Sequence, residues 1–250
     1  MDVSTLLLVC PLIFLGGFVD AVGGGGGLIA VPAYLLAGIP PHLAIGTNKL
    51  SSCMGKAASI WKLARSGFVD WKLSPIPVAV SFVGSYAGAS IALNLPPRVF
   101  EIILVALLPI VAFIVLRKRK TDSRHVDMPY GKRVGILSSC AFVCNAYDGF
   151  YGPGSGTFLL VSFSTLAGLD VREASGQTKV VNIAGAGAAL FTFALAGQVD
   201  WQLGLIAGLF GIAGHYLGAT LVVKNGAAAV RPIILIVLCA LFAKTLYDWL

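Results

Sequence analysis

Lys49 and Lys179 lie 130 residues apart, in the tetrapeptides GTNK and GQTK. Each sits inside an apolar stretch that follows a glycine-rich interruption. The first interruption holds five consecutive glycines, 23–27, and the second reads YGPGSGTF from Tyr151. Asp20 and Asp148 stand just before these interruptions. An ammonium group in an apolar segment is expensive, so it faces a cavity or a counter-charge.

Two chemistries fit these residues. In the first, the two lysines converge on an anion. Backbone N–H groups of Gly24, Gly25, Gly26, Gly154, Ser155 and Gly156, at helix N-termini, would add donors to that centre. Thr47, Asn48, Gln177 and Thr178 would supply neutral donors beside the lysines. In the second, the lysines snorkel to the interface or pair with Asp20 and Asp148. Deleting a lysine separates the two. An unpaired charge can be removed without harm, whereas breaking a pair strands a carboxylate and lowers stability.

Asp20 and Asp148 are also the candidate proton carriers, because a carboxyl group beside a broken helix in low dielectric can hold a proton. The alternatives are a helix cap or a counter-ion for a lysine. Asn145, Thr157, Asn182 and Lys56 are lesser candidates for lining the same centre. No cofactor is expected, and neither zinc-protease nor nucleotide-binding motifs occur. The five cysteines, Cys10, Cys53, Cys140, Cys144 and Cys239, all fall in apolar stretches and read as small apolar fillers rather than a disulfide or metal set. A rival class is an intramembrane serine hydrolase built on Ser155 and His215. The residue two before Ser155 is Pro153, so the G-x-S-x-G pattern is not met.

The elements that hold these residues are membrane segments. The chain is 57% hydrophobic and 12% charged, against about 25% charged in soluble domains. Of its net charge of +7, much falls in 117–133, a basic run closely bracketed by apolar spans. That pattern reads as a cytoplasmic loop and not as a nucleic-acid patch. The N-terminus lacks a basic n-region and reads as a first membrane segment, not a removed signal. Six apolar stretches are long enough to cross: 43–64, 73–93, 99–116, 173–196, 202–222 and 230–248. Two short pairs, 5–22 with 26–37 and 134–150 with 156–167, flank the glycine interruptions. Each pair is one broken span or a re-entrant hairpin of half-helices. Broken backbone at membrane depth is tolerated where it is buried or lines a cavity.

The shift of 130 residues recurs along the chain. It relates Gly24 to Gly154, Lys49 to Lys179, VDW at Val69 to VDW at Val199, and GSYAGA at Gly84 to GHYLGA at Gly214. Such a fixed offset signals duplication. The halves read as 1–116 and 134–250, joined by the basic linker 117–133. Lys62, Arg65 and Lys72 of the first half correspond to Thr192, Leu195 and Gln202 of the second. A basic loop matched by a neutral one is expected when the two lie on opposite faces. The expected fold is therefore an all-α polytopic membrane protein of two inverted repeats, each a glycine-broken segment, a re-entrant half-helix hairpin, plus three transmembrane helices. The rival is eight full crossings in parallel repeats. Gly84 with Gly88 and Gly214 with Gly218 mark close helix packing. Asp70 and Asp200 read as helix N-caps, and Trp71 and Trp201 as interface anchors.

The run DAVGGGGGLIAVPAYLLAGIPPHLAIGTNKLSSC, its echo YGPGSGTFLLVSFSTLAGLDVREASGQTKVVN, and the GFVDW and GQVDW stretches resemble the TauE/SafE family of sulfite exporters. The resemblance covers nearly the whole chain. It implies a secondary transporter, not an enzyme, in the bacterial or archaeal inner membrane, with no ATP site or cofactor. It implies a small sulfur-containing anion, such as sulfite, a sulfonate or sulfoacetate, as substrate. Expected partners are that anion and membrane lipids, with a second copy in a homodimer as an open option and no nucleic acid. An anion channel would share every feature above. Pro153, Ser155 and Thr157 depart from the glycine run of the first half, so the halves need not bind equally.

Overall fold

The structure, a computed structural model, describes residues 2–116 and 128–225. Most of the basic linker, the apolar stretch 230–248, Cys239 and Leu250 lie outside the described residues. Every regular element among the described residues is an α-helix: α1 (Val3–Gly23), α2 (Gly27–Leu36), α3 (Pro41–Arg65), α4 (Pro75–Leu93), α5 (Pro97–Leu116), α6 (Tyr130–Phe150), α7 (Ser155–Thr165), α8 (Val171–Leu195) and α9 (Trp201–Asn225).

Proline starts three of them, because it needs no N–H in the first turn: Pro41, Pro75 and Pro97. Aspartate starts two others. Asp170 Oδ1 accepts from the Arg172 N–H at 2.7 Å, and Asp200 Oδ1 from the Leu203 N–H at 2.9 Å. Asp70 differs from the expected cap. Its carboxylate accepts from the Lys72 N–H, inside a turn that ends before α4 begins at Pro75. Trp71 and Trp201 are both more than half exposed, as anchors at an interface would be.

Helices α1, α4, α5, α8 and α9 are long and apolar enough to cross a membrane. Helix α3 has 25 residues but carries Lys49 and Lys56 within it, which lowers its apolar character. Helices α1 and α6 run 21 residues each, whereas α2 and α7 have only 10 and 11. Helix α6 starts at Tyr130, inside the stretch read from sequence as linker. Helix α5 is the least enclosed span, with Ile102 and Phe113 turned outward.

Packing follows the glycines. Helix α4 lies along α6 and α8, α9 lies along α1 and α3, and α3 crosses α8. Gly84 and Gly88 of α4 rest on the carbonyls of Phe142 and Ala146. Gly214 and Gly218 of α9 rest on those of Phe14 and Phe18. A β-carbon at any of the four would collide with that backbone, so close approach requires glycine. The glycines of the two contacts are 130 residues apart and their partners 128 apart, and each contact joins a helix from one half to a helix from the other.

Candidate functional site

The two glycine interruptions touch. Gly24 leaves α1 with φ of 77°, a left-handed conformation that favours glycine. A β-carbon there would run into the backbone of Gly156 and Thr157, and one at Gly156 would meet Gly24. The Thr157 hydroxyl ties the crossing by donating to the Gly23 carbonyl at 2.6 Å. Helices α2 and α7 begin at this crossing; the N–H groups of Leu28 and Ile29 donate to the Gly25 and Gly26 carbonyls, and that of Ser155 to the Gly152 carbonyl. Gly25 lies between the ends of α1 and α2, Gly26 packs on Gly16 and the Asp20 side chain, and Gly154 enters α7 with φ of 82°.

Beside the crossing lie two buried ion pairs, each made between halves. Lys49 Nζ donates to Asp148 Oδ2 at 2.8 Å and to the Asp148 backbone carbonyl at 2.5 Å. Lys179 Nζ donates to Asp20 Oδ2 at 3.0 Å and to the Asp20 backbone carbonyl. Both carbonyls belong to the last turns of α6 and α1, where the helix dipole is negative, and that of Asp20 also accepts from the Gly24 N–H at 2.8 Å. Each lysine therefore meets two negative centres at once. That compensates part of the desolvation cost of a buried pair.

The two carboxylates differ in their remaining partner. Asp148 Oδ1 accepts from the Ser155 hydroxyl at 2.5 Å. Asp20 Oδ2 lies 3.2 Å from His215 Nε2, and His215 Nδ1 lies 3.0 Å from the Gly211 carbonyl. Room for the imidazole comes from Gly17 and Gly55, where a β-carbon would strike the ring. Ser155 and His215 thus hold different acids and do not form the hydrolase dyad weighed from sequence.

A cavity of about 30 Å3 lies among these groups. Asp20, Lys49, Lys56, Asp148, Ser155 and His215 line it, together with Asn48 and Ser52 of α3 and Gly26, the residue before α2. Its volume suits one or two waters. Of the neutral donors named from sequence, Asn48 reaches this cavity. Thr47 and Gln177 instead hold loops of the opposite half. Thr47 Oγ1 accepts from the Asp200 N–H at 2.9 Å, while Gln177 donates to the Asp70 carbonyl at 2.6 Å and accepts from Ser74 at 3.0 Å. The hydroxyl of Thr178 is buried with no hydrogen-bond partner among the described residues, as are Oδ1 of Asn145 and Nδ2 of Asn182.

Lys56 and His215 hold larger places at this centre than their sequence positions suggested. A signal for Lys56 was present. It follows Lys49 by seven residues, two helical turns, which puts both on one face of α3. For His215 there was only the pairing of a large residue with glycines at positions far away in the chain.

Comparison with known proteins bears on this arrangement. The family model described as sulfite exporter TauE/SafE matches residues 9–245. A probable membrane transporter protein, ORF9, of Sinorhizobium sp is 35% identical over 241 residues, covering 94% of this chain and 90% of the relative. The probable membrane transporter protein YfcA of Escherichia coli K12 is 32% identical over 255 residues, covering 98% and 94%. A probable membrane transporter protein of Haemophilus influenzae is 32% identical over 250 residues, covering 99% and 97%. No solved structure matches the chain at a significant level.

Proposed function

The chain belongs to the sulfite exporter TauE/SafE family and is an integral membrane transporter rather than an enzyme, and from that premise we propose that it carries small sulfur-containing anions across the inner membrane by alternating access. The observation that carries this reading is the charged cavity where the two helix breaks cross. Three lysines, two aspartates and a histidine are gathered at membrane depth, walled by the backbone of α2 and α7 at their positive ends. Intramembrane charge of this density marks a substrate or ion path. Discontinuous helices meeting at the interface of two repeats are the usual setting of a secondary transporter's site.

The inverted-repeat topology, with a re-entrant hairpin in each half, belongs to the same proposal. The cross-half packing of α4 on α6 and α9 on α1 supports it, as does the reciprocal exchange of lysines between halves. Alternating access would then rock one half against the other about the crossing of Gly24 and Gly156.

Proton coupling is the further part of the proposal, and Asp20 is better placed for it than Asp148. Both ring nitrogens of His215 face oxygen acceptors. Satisfying both takes one proton more than a neutral imidazole and an ionised carboxylate hold together. The second partner of Asp148, the Ser155 hydroxyl, brings its own proton.

Ligand-dependent melting of the purified protein tests the substrate class, since a ligand bound only by the folded state raises its apparent stability. Sulfite, thiosulfate, sulfoacetate or taurine should raise the melting temperature in a saturable way. A flat response to all four overturns the anion reading.

A further inference from the structure

Among the described residues, Lys56 is the cation in this centre that has no mate. It is 5% exposed and lines the cavity, yet it makes no hydrogen bond or ion pair with any other described residue. Both carboxylates within its electrostatic reach, Asp20 and Asp148, are already held at contact distance by Lys179 and Lys49. Snorkelling is closed to it, because the side chain is enclosed rather than at a helix end. An enclosed ammonium without a counter-charge is costly, and a protein that keeps one has a use for an anion beside it.

The neighbours of Lys56 suit the same occupant. Asn48, Ser52 and Lys56 recur every four residues along α3, and all three face the cavity. The sequence shift turns the three into Thr178, Asn182 and Ala186, so the second half has no lysine at the corresponding place. The two ion pairs are reciprocal between halves, but this charge is not.

We propose that Lys56, with Asn48 and Ser52 on the same face of α3, is the anion-binding element of the site and takes one small oxyanion headgroup, sulfite or sulfonate, per chain. Lys49 and Lys179 build the wall of the site by fixing α6 and α1, and Lys56 meets the substrate with charge-assisted hydrogen bonds. A single lysine on one half makes the site one-sided. It travels with α3 as the halves move, so the anion stays with the first half in both orientations. This inference rests on the anion-transport reading above.

The test compares wild type with Lys56→Met, Lys56→Arg and, as a surface control, Lys72→Met, each purified as the full chain. Ligand-free melting and affinity for sulfite, thiosulfate, sulfoacetate and taurine are measured on the same preparations. Lys56→Met should weaken the tightest probe by roughly tenfold to a hundredfold, the range for a lost charge-assisted hydrogen bond. Its ligand-free melting temperature should stay level or rise, because an unpaired buried charge is gone. Lys56→Arg should recover most of the affinity, and Lys72→Met should match wild type. Native affinity in Lys56→Met overturns the proposal while leaving the anion reading intact. Early melting of ligand-free Lys56→Met also overturns it, since it would make Lys56 a counter-ion of the aspartates. Failure of wild type to bind any probe removes the anion reading, and this inference with it.

Discussion

Lys49 holds Asp148 through both its carboxylate and its backbone carbonyl, across the boundary between the two halves of the chain. Removing the lysine leaves a buried carboxylate whose one remaining hydrogen-bond partner among the described residues is the Ser155 hydroxyl. Lys49→Met should therefore cost about 3–5 kcal/mol of stability. The double variant Lys49→Met, Asp148→Leu should recover most of it, since an apolar pair carries no desolvation cost. Melting of both variants in detergent checks this. A single variant as stable as wild type would mean that the pair contributes nothing to the folded state.

The crossing of the two breaks predicts a contrast between glycines. Gly24 and Gly38 have nearly the same φ, 77° and 78°, but only Gly24 has backbone against the place of its β-carbon. Gly38→Ala should lose about 1–2 kcal/mol, the strain of a left-handed alanine. Gly24→Ala should lose that plus the cost of overpacking, about 1–3 kcal/mol more. Equal losses would show that the contact with Gly156 is not tight.

For the proton, the comparison is between the two aspartates. With Asp20→Asn in proteoliposomes, anion flux should become nearly insensitive to an imposed pH gradient. Asp148→Asn should keep the gradient response even where its absolute flux is lower. Lys179, His215 and Lys56 all bear on Asp20, so the ratio of flux with and without the gradient is the quantity to compare within each variant. An undiminished ratio in Asp20→Asn would remove that residue from coupling.

Inverted repeats place the α3–α4 loop and its counterpart, the α8–α9 loop, on opposite faces. Ser66→Cys should be shielded from an impermeant thiol reagent added outside the cell, and Ala196→Cys should react. In the proposed topology, the basic residues Lys62, Arg65 and Lys72 would put the first loop inside. Reaction of both positions from the same side would restore parallel repeats.

Much of this was legible in the chain itself. Helices α3, α4, α5, α8 and α9 follow their apolar stretches to within three residues, because length and apolarity are local properties. The glycine breaks and the buried lysines were equally plain. The pairing of Lys49 with Asp148 rather than Asp20 was not, because it depends on α4 and α9 each crossing to the other half. Thr47 and Gln177 show the same limit. Their types suit an anion, but their partners, the Asp200 N–H for Thr47 and the Asp70 carbonyl and Ser74 hydroxyl for Gln177, are brought to them only by the tertiary fold.

The exchange of lysines between halves also sets a timetable. Asp20 enters the bilayer with the first helix, yet its partner Lys179 lies 159 residues further along the chain. At ordinary translation speeds that gap is roughly 8 to 30 seconds. Through that interval a nascent chain carries an unmatched acid in an unfinished bundle. A product truncated before α8 keeps that mark permanently, which gives membrane quality control a simple difference between a complete transporter and a fragment.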